Sequence, residues 1–328
     1  MIGVGIQENR RQKADEPGAG VRWEAVRLLT KAAMVRSGTN FSSRLLTYAT
    51  EIERLVGMKK VIDASGLRSP ELSSYLSAST ANLAVLSDYA AMESFKGSAA
   101  VNIRNALRIV SRHPKQVLVL KSTGKIASLR PRRTGLHARL IDHRQTAGFP
   151  SYCRAILDGA ASVEDVNYDI VLKELAADGH FATLAADTEV IRTGMVVLFQ
   201  SYPPDDLKSL RAGRQISGAF SDRVVDDILR ITARSFRHST AGADMPSTDD
   251  AMFSFQFRYA LCSYVLALKW AADGGYETAH ASKLRNDFTD ATYAAYATFF
   301  DGLITKDKKL QEVYRLSVWL LRNIFSVT

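Results

Sequence analysis

Three short runs of branched and apolar residues recur along the first third of the chain. They are Val61-Ile62, Leu83-Ala84-Val85-Leu86 and Gln116-Val117-Leu118-Val119-Leu120, and stretches with helical spacing separate them. This alternation constrains the fold more than any other feature, because strands that take turns with helices argue for a parallel α/β sheet. Lys59-Lys60 leads into the first run and Asp63-Ala64-Ser65 closes it, a common exit from such a strand. Ser69-Pro70-Glu71-Leu72 then reads as a helix start. Serine caps, proline suits the first helical position, and glutamate favours the positive end of the helix dipole. Leu72, Tyr75 and Leu76 supply its apolar face. The spacing predicts further helices over Tyr89–Phe95, stopped at Gly97, and over 98–112 with Ile103, Leu107 and Val110 on one side.

The rest of the chain divides around this core. Residues 1–57 form an N-terminal extension, a disordered polar tail to about residue 21 and then a helical pattern from Trp23 to Val56. Residues 58–124 carry the first part of the core, and Met58 is a candidate domain start. Residues 125–282 read as a mainly helical insertion, with helices near 151–160, 163–178, 184–199, 221–237 and 250–272 and an exposed loop over Ser239–Asp250. Residues 283–328 complete the core: a helix over Asp287–Thr298, a strand over Phe300–Thr305, a charged exit at Lys306-Asp307-Lys308-Lys309, and a closing helix over Glu312–Ile324. Val313, Leu316, Leu320 and Ile324 are the buried face of that last helix. There is no internal repeat.

Composition removes several classes of function. No apolar run reaches the roughly 18 residues of a membrane span, and the N-terminus lacks the basic-then-apolar pattern of a secretory signal. Two cysteines, Cys153 and Cys262, make neither a disulfide framework nor a zinc ligand set, so a reducing cytoplasm is expected. The six histidines have no metal-binding spacing, and neither a phosphate-binding Gly-rich loop nor a Gly-x-Ser-x-Gly elbow is present. A formal net charge of +9 and a pI near 9.5 favour a polyanionic partner such as nucleic acid.

The acids carry the chemistry. Phosphodiester cleavage needs positive charge where negative charge builds up, and hard divalent cations held by carboxylates supply it. In an open α/β sheet that cleft lies beyond the carboxyl ends of the strands. Asp63 ends the first strand, Glu93 lies about one helical turn beyond the second, and Asp307 follows the last. Asp287 and Asp290 open the helix leading into the last strand, three apart and so on one face. Each also has an ordinary reading as a turn, cap or solvated helix acid; the set of them, at comparable positions, favours function.

In order, Val61-Ile62-Asp63-Ala64-Ser65, Leu83 to Glu93, Asn286-Asp287-Phe288-Thr289-Asp290 and Leu303-Ile304-Thr305-Lys306-Asp307 resemble the PIN domain pattern. In that pattern a first strand ends in Asp-x-Ser or Asp-x-Asn, a glutamate follows the second strand, an acid begins a late helix, and Thr-x-Asp follows the next strand. The resemblance implies a three-layer α/β sandwich and a metal-dependent endonuclease, usually a ribonuclease, sometimes the toxin of a toxin–antitoxin or defence system. It implies Mg2+ or Mn2+ held by Asp63, Glu93, Asp287 or Asp290, and Asp307. Ser65 and Thr305 would orient a water or a phosphate oxygen. RNA is the expected substrate, DNA a second one, with an inhibitor or antitoxin protein and a second copy of the chain as further partners. The interval from Glu93 to Asp287 departs from the compact pattern, which is why an insertion is expected there.

Arg130, Arg132 and Arg133, with Arg139 and Arg144 beyond them and Lys306 near the last acid, are candidate nucleic-acid contacts. The aromatic run Phe253, Phe255, Phe257, Tyr259, Tyr264 and Trp270 is better explained by a buried helix than by base stacking. Asp226-Asp227 and Asp249-Asp250 read as surface pairs. The competing reading is a non-catalytic nucleic-acid- or protein-binding module on a degenerate PIN-like scaffold, in which the acids would not converge.

Overall fold

The computed structural model describes residues 57–95, 99–158, 192–212, 217–239, 244–273 and 281–327. The readings made for 1–56, Gly97, 163–178 and the first part of 184–199 lie outside these residues. In chain order the elements are β1 (Lys59–Ile62), a 3-10 turn (Gly66–Arg68), α1 (Pro70–Ala78), β2 (Leu83–Leu86), α2 (Asp88–Ser94), α3 (Ala99–Val110), a second 3-10 turn (Pro114–Gln116) and β3 (Val117–Val119). Then come α4 (Thr123–Ala127), α5 (Leu136–Leu140), α6 (His143–Asp158), α7 (192–200), α8 (Pro204–Arg211), α9 (Gly218–Ser239) and α10 (Thr248–Ala251). The chain finishes with α11 (Phe255–Asp273), α12 (Ala281–Ala297), β4 (Gly302–Ile304) and α13 (Lys308–Asn323). No helix among the described residues is long and apolar enough to cross a membrane.

The protein is α/β, with one small parallel sheet of four strands in the order β3-β2-β1-β4 and mostly helices around it. The pairing sets Val61 beside Val85 on one side and Leu303 on the other, and Val85 beside Leu118. Val61 and Ile62 are neighbours, so their side chains leave opposite faces of the sheet. Both are fully buried, as are Ala84 and Val85. Helices therefore cover both faces, the usual condition of a parallel sheet.

Local chemistry accounts for the element boundaries. Ser69 caps α1 by accepting the Leu72 N–H at 3.1 Å, with Pro70 in the first turn, and Leu72, Tyr75 and Leu76 are buried as the spacing predicts. The Gln116 side-chain amide faces inward and donates to the carbonyls of Leu76, Ser79 and Asn82, fixing the α1–β2 turn to the start of β3. In α12, Ala291, Ala294, Ala295 and Ala297 are buried, and such small side chains allow close approach to α11 and to the sheet. The aromatic run lies mainly in α11, where Phe255, Phe257, Tyr264 and Trp270 belong to the same continuous core as the strands. Phe257 meets Phe325 edge-on, with ring centroids 4.9 Å apart.

Four readings need correction. Asp287 and Asp290 do not open their helix: α12 begins at Ala281, and the buried Leu284 carries its apolar face a turn further back. Asp226-Asp227 is not a surface pair: Asp226 is exposed, but Asp227 is 2% exposed and accepts hydrogen bonds from Tyr202 (2.6 Å) and Tyr264 (2.9 Å) while pairing with Arg230. Adjacent residues on a helix lie roughly 100° apart, so one acid of a pair can turn inward when donors await it. The loop reading over Ser239–Asp250 runs too far, because Ser247 caps α10 through the Asp250 N–H. The closing helix starts at Lys308, not Glu312, because the Asp307 carboxylate captures the Leu310 N–H at 3.0 Å.

Gly66 sits where β1 turns away beneath the end of β4. A side chain there would overlap the Ile304 carbonyl oxygen and come within 2.9 Å of Asp63 Oδ1, whereas Gly148, inside α6, has open space around it. Gly66→Ala is expected to destabilise the fold by about 1–3 kcal/mol, since backbone must move to admit the methyl. Gly148→Ala should be neutral or stabilising by about 0.5–1 kcal/mol. Urea unfolding of both variants checks the contrast.

Candidate active site

The strand order fixes where a site can form. The chain runs outward from β1 through β2 to β3, then returns to the other side of β1 as β4, so the direction of winding reverses between β1 and β4. Beyond the carboxyl ends of those two strands lies the crevice at which open α/β sheets hold ligands. Asp63 leaves β1 there and Asp307 follows β4.

Asp63 is 5% exposed. Its carboxylate accepts the Gly66 N–H at 2.6 Å, the Thr305 hydroxyl at 2.6 Å and the Ser65 hydroxyl at 3.0 Å to each oxygen. Burial pushes its pKa up, the Thr305, Gly66 and Ser65 hydrogen bonds pull against that shift, and the Asp307 charge adds to it; the net direction is upward. Thr305 Oγ1 also accepts the Asp307 N–H at 3.0 Å, and Ser65 Oγ accepts the Lys306 N–H at 3.0 Å. The loops after β1 and β4 are thus stitched together, and one hydroxyl separates Asp63 from the Asp307 backbone.

Two helices bring further acids. Glu93, on α2, accepts the Tyr293 hydroxyl through Oε2 at 2.8 Å. Tyr293 is fully buried on α12, and its pKa is driven well above the usual value by burial, then by Glu93, Asp63 and Asp290. Asp290, one turn earlier on α12, is pushed up to about 8 by burial, then by the charges of Asp307, Glu93 and Asp287, with Lys309 pulling the other way. Asp287 is engaged differently. Its Oδ2 accepts the Trp270 indole N–H at 2.7 Å, and its Oδ1 pairs with the Lys309 ammonium.

Asp63 and Asp290 therefore both feel the charge of Asp307, and Asp290 feels that of Glu93 as well. They do not form a closed shell: among the described residues no three carboxylate, histidine or cysteine side chains gather closely enough to make a ready-built metal site. The arrangement is an acidic cleft lined by oxygen donors, with Lys309 the cation that offsets Asp290 and is itself tied to Asp287.

The basic candidates divide between two places. Lys306 is exposed beside the acids. Arg130, Arg132 and Arg133 are exposed on a loop that Arg139 organises, its guanidinium donating to the carbonyls of Arg130 (2.6 Å) and Arg132 (3.4 Å). Arg133 stands near Phe253, Phe300 and Asp301, residues at the other end of β4. Sequence reasoning missed Tyr293 and the Trp270–Asp287–Lys309 triad. The signal for Tyr293 was its place three residues after Asp290, on the same helix face. Trp270 and Lys309 carried none, since only folding brings them to Asp287.

Compared with protein-family models, with curated proteins and with solved structures, the chain matches none.

The electrostatics predict a pH dependence. An unfolded aspartate ionises near 3.9, while folded Asp290 does so at about 8. Between these values the folded chain keeps a proton that the unfolded chain has released, so stability present at acid pH is lost as pH rises through about 8. With a chelator present, wild type should lose more melting temperature between pH 5 and pH 8.5 than Asp290→Asn. Parallel curves for the two proteins would rule out the raised carboxyl.

Proposed function

We propose that the chain is a metal-dependent endonuclease acting on RNA, built on a PIN-like three-layer core, with Asp63, Glu93, Asp290 and Asp307 as the residues that hold magnesium or manganese. The observation that carries this reading is the gathering of carboxylates from four separate segments at the switch point of a parallel sheet, where burial first, and then the charges of Asp307, Glu93 and Asp287, push Asp290 up to about 8. Crowding of that kind destabilises a fold, and it is characteristic of functional sites. The donors suit a hard divalent ion: all are oxygens, and the neighbouring Lys309 is already committed to Asp287. Side-chain rotation would have to accompany binding, because the four carboxylates are not arranged as a closed shell.

Of the two candidates on α12, Asp290 is the better ligand. Both oxygens of Asp287 are occupied by Trp270 and Lys309, so Asp287 positions Lys309 beside the cleft. When bound, the ion supplies the positive charge that phosphodiester hydrolysis requires as charge builds on the phosphate and its leaving oxygen. The protein's own groups do the rest. Thr305 and Ser65 fix the Asp63 carboxylate, Tyr293 fixes Glu93, and Lys306 draws phosphate to the mouth of the cleft. The absence of a three-carboxylate shell among the described residues favours one alternative, a non-catalytic binding module on the same scaffold.

Digestion of labelled RNA and single-stranded DNA in magnesium and in manganese separates the two. The proposal expects RNA cleavage that a chelator stops. Asp63→Asn and Asp307→Asn should each lower it roughly 100-fold or more, in line with removal of a group that stabilises charge in the transition state. Thr305→Val, which removes only a support for Asp63, should cost roughly 10- to 100-fold. Undiminished cutting by Asp63→Asn, or RNA binding by wild type that is indifferent to chelator and without cleavage, would leave the binding module as the answer.

A further inference from the structure

A cavity lies at the opposite end of β4 from the acids. It has a volume of about 640 Å³, and Phe299, Phe300 and Asp301, which immediately precede β4, form part of its wall. Helices α11 and α13 contribute Arg258, Tyr314 and Arg322.

Arg258 is the unusual residue. It is 4% exposed. Its Nε donates to the Met252 carbonyl at 2.8 Å, and its guanidinium carbon stands 5.1 Å from the centre of the Phe299 ring. Among the described residues no carboxylate pairs with it. Burial pulls its pKa down to about 10, which still leaves it charged at neutral pH. A guanidinium taken out of water without an anion destabilises a fold, and an anion beside it relieves that cost. Its surroundings repeat the pattern. His137 stacks on Phe300 with centroids 5.2 Å apart, and the exposed Arg322 also lines the cavity. The lining carboxylate, Asp301, already accepts the Lys59 N–H through Oδ2 at 2.8 Å.

Guanidinium groups beside aromatic rings, outnumbering the one carboxylate in the wall, suit a ligand that joins concentrated negative charge to a flat ring. We propose that this cavity binds a nucleoside monophosphate, its phosphate taken by Arg258 and Arg322 and its base by the half-buried ring of Tyr314. Two guanidinium groups, facing one carboxylate that already holds a backbone N–H, suit a doubly charged phosphate. The volume falls in the range of small-molecule sites, roughly 300–1,000 Å³. The site is separate from the acidic cleft and does not depend on the nuclease reading. The nucleotide can be free or the phosphorylated end of a strand.

Calorimetric titration of the full chain in chelator tests this, with adenosine 5′-monophosphate, adenosine, inorganic phosphate and a 5′-phosphorylated oligoadenylate as probes. The monophosphate should bind clearly more tightly than adenosine or phosphate alone. Arg322→Gln, an exposed change, should weaken it roughly tenfold or more, the effect of losing one charge-assisted hydrogen bond. Arg258→Gln should abolish binding while melting higher than wild type, because the unpaired buried charge is gone. Asp307→Asn should bind the monophosphate as wild type does. A tighter oligoadenylate that Arg258→Gln also loses assigns the site to a strand end, and equal affinity assigns it to the free nucleotide. A monophosphate no better than adenosine, or unweakened by Arg322→Gln, overturns the proposal even if Arg258→Gln fails to fold.

Discussion

The buried carboxylate of Asp63 is the point on which the rest of the molecule turns. A charged group taken out of water must be surrounded by donors, and here Gly66, Ser65 and Thr305 provide them. Thr305 lies 242 positions away in sequence. The requirement therefore ties the exit of β1 to the exit of β4, and with them the beginning and end of the described core. Closing so long a stretch of chain adds little entropy beyond what a shorter loop demands, which is how extensive helical structure can stand between two adjacent strands.

Charge is sorted along the sheet. At the carboxyl edge, acids from β1, α2, α12 and the β4 exit crowd together, with Lys309 in partial relief. At the amino edge of β4 the imbalance reverses, and Arg258 is buried against a ring instead of a carboxylate. A chain of net charge +9 has cations to spare, yet it does not use Arg258 or Arg322 to neutralise the acids. Imbalances of this kind weaken a fold in general, and sites that bind charged ligands commonly retain them. Two other buried carboxylates are matched: Asp227 has Tyr202, Tyr264 and Arg230, and Asp287 has Trp270 and Lys309.

Much of the core was legible locally. Ser69-Pro70-Glu71 announced α1, and Leu83–Leu86 is β2 residue for residue. Val117–Val119 lies inside the run that announced β3, and the buried stripes of α1 and α3 follow their spacing. Such features depend on a few neighbouring residues, so a few neighbouring residues display them. Asp226-Asp227 shows the limit. The pair looks solvated until two tyrosines, one 25 and one 37 positions away, are seen to donate to the second acid. Asp287 and Asp290 show it again: they are equivalent by spacing, and only the placement of Trp270 and Lys309 separates a carboxylate that is occupied from one that is crowded.

The sequence by itself determined the alternation of strand and helix, the candidate acids and their order, and the sign of the overall charge, because periodicity, capping and composition are properties of short stretches. The tertiary structure alone decided that β4 returns beside β1, that Thr305 serves both Asp63 and Asp307, that Asp290 is buried among other acids while Asp287 is held by Trp270 and Lys309, and that Arg258 is buried without a counter-ion among the described residues. Each of these depends on which distant groups come within a few ångströms of each other. Desolvation and Coulomb interaction depend on that distance and on the surrounding medium, and neither is written into the order of the residues.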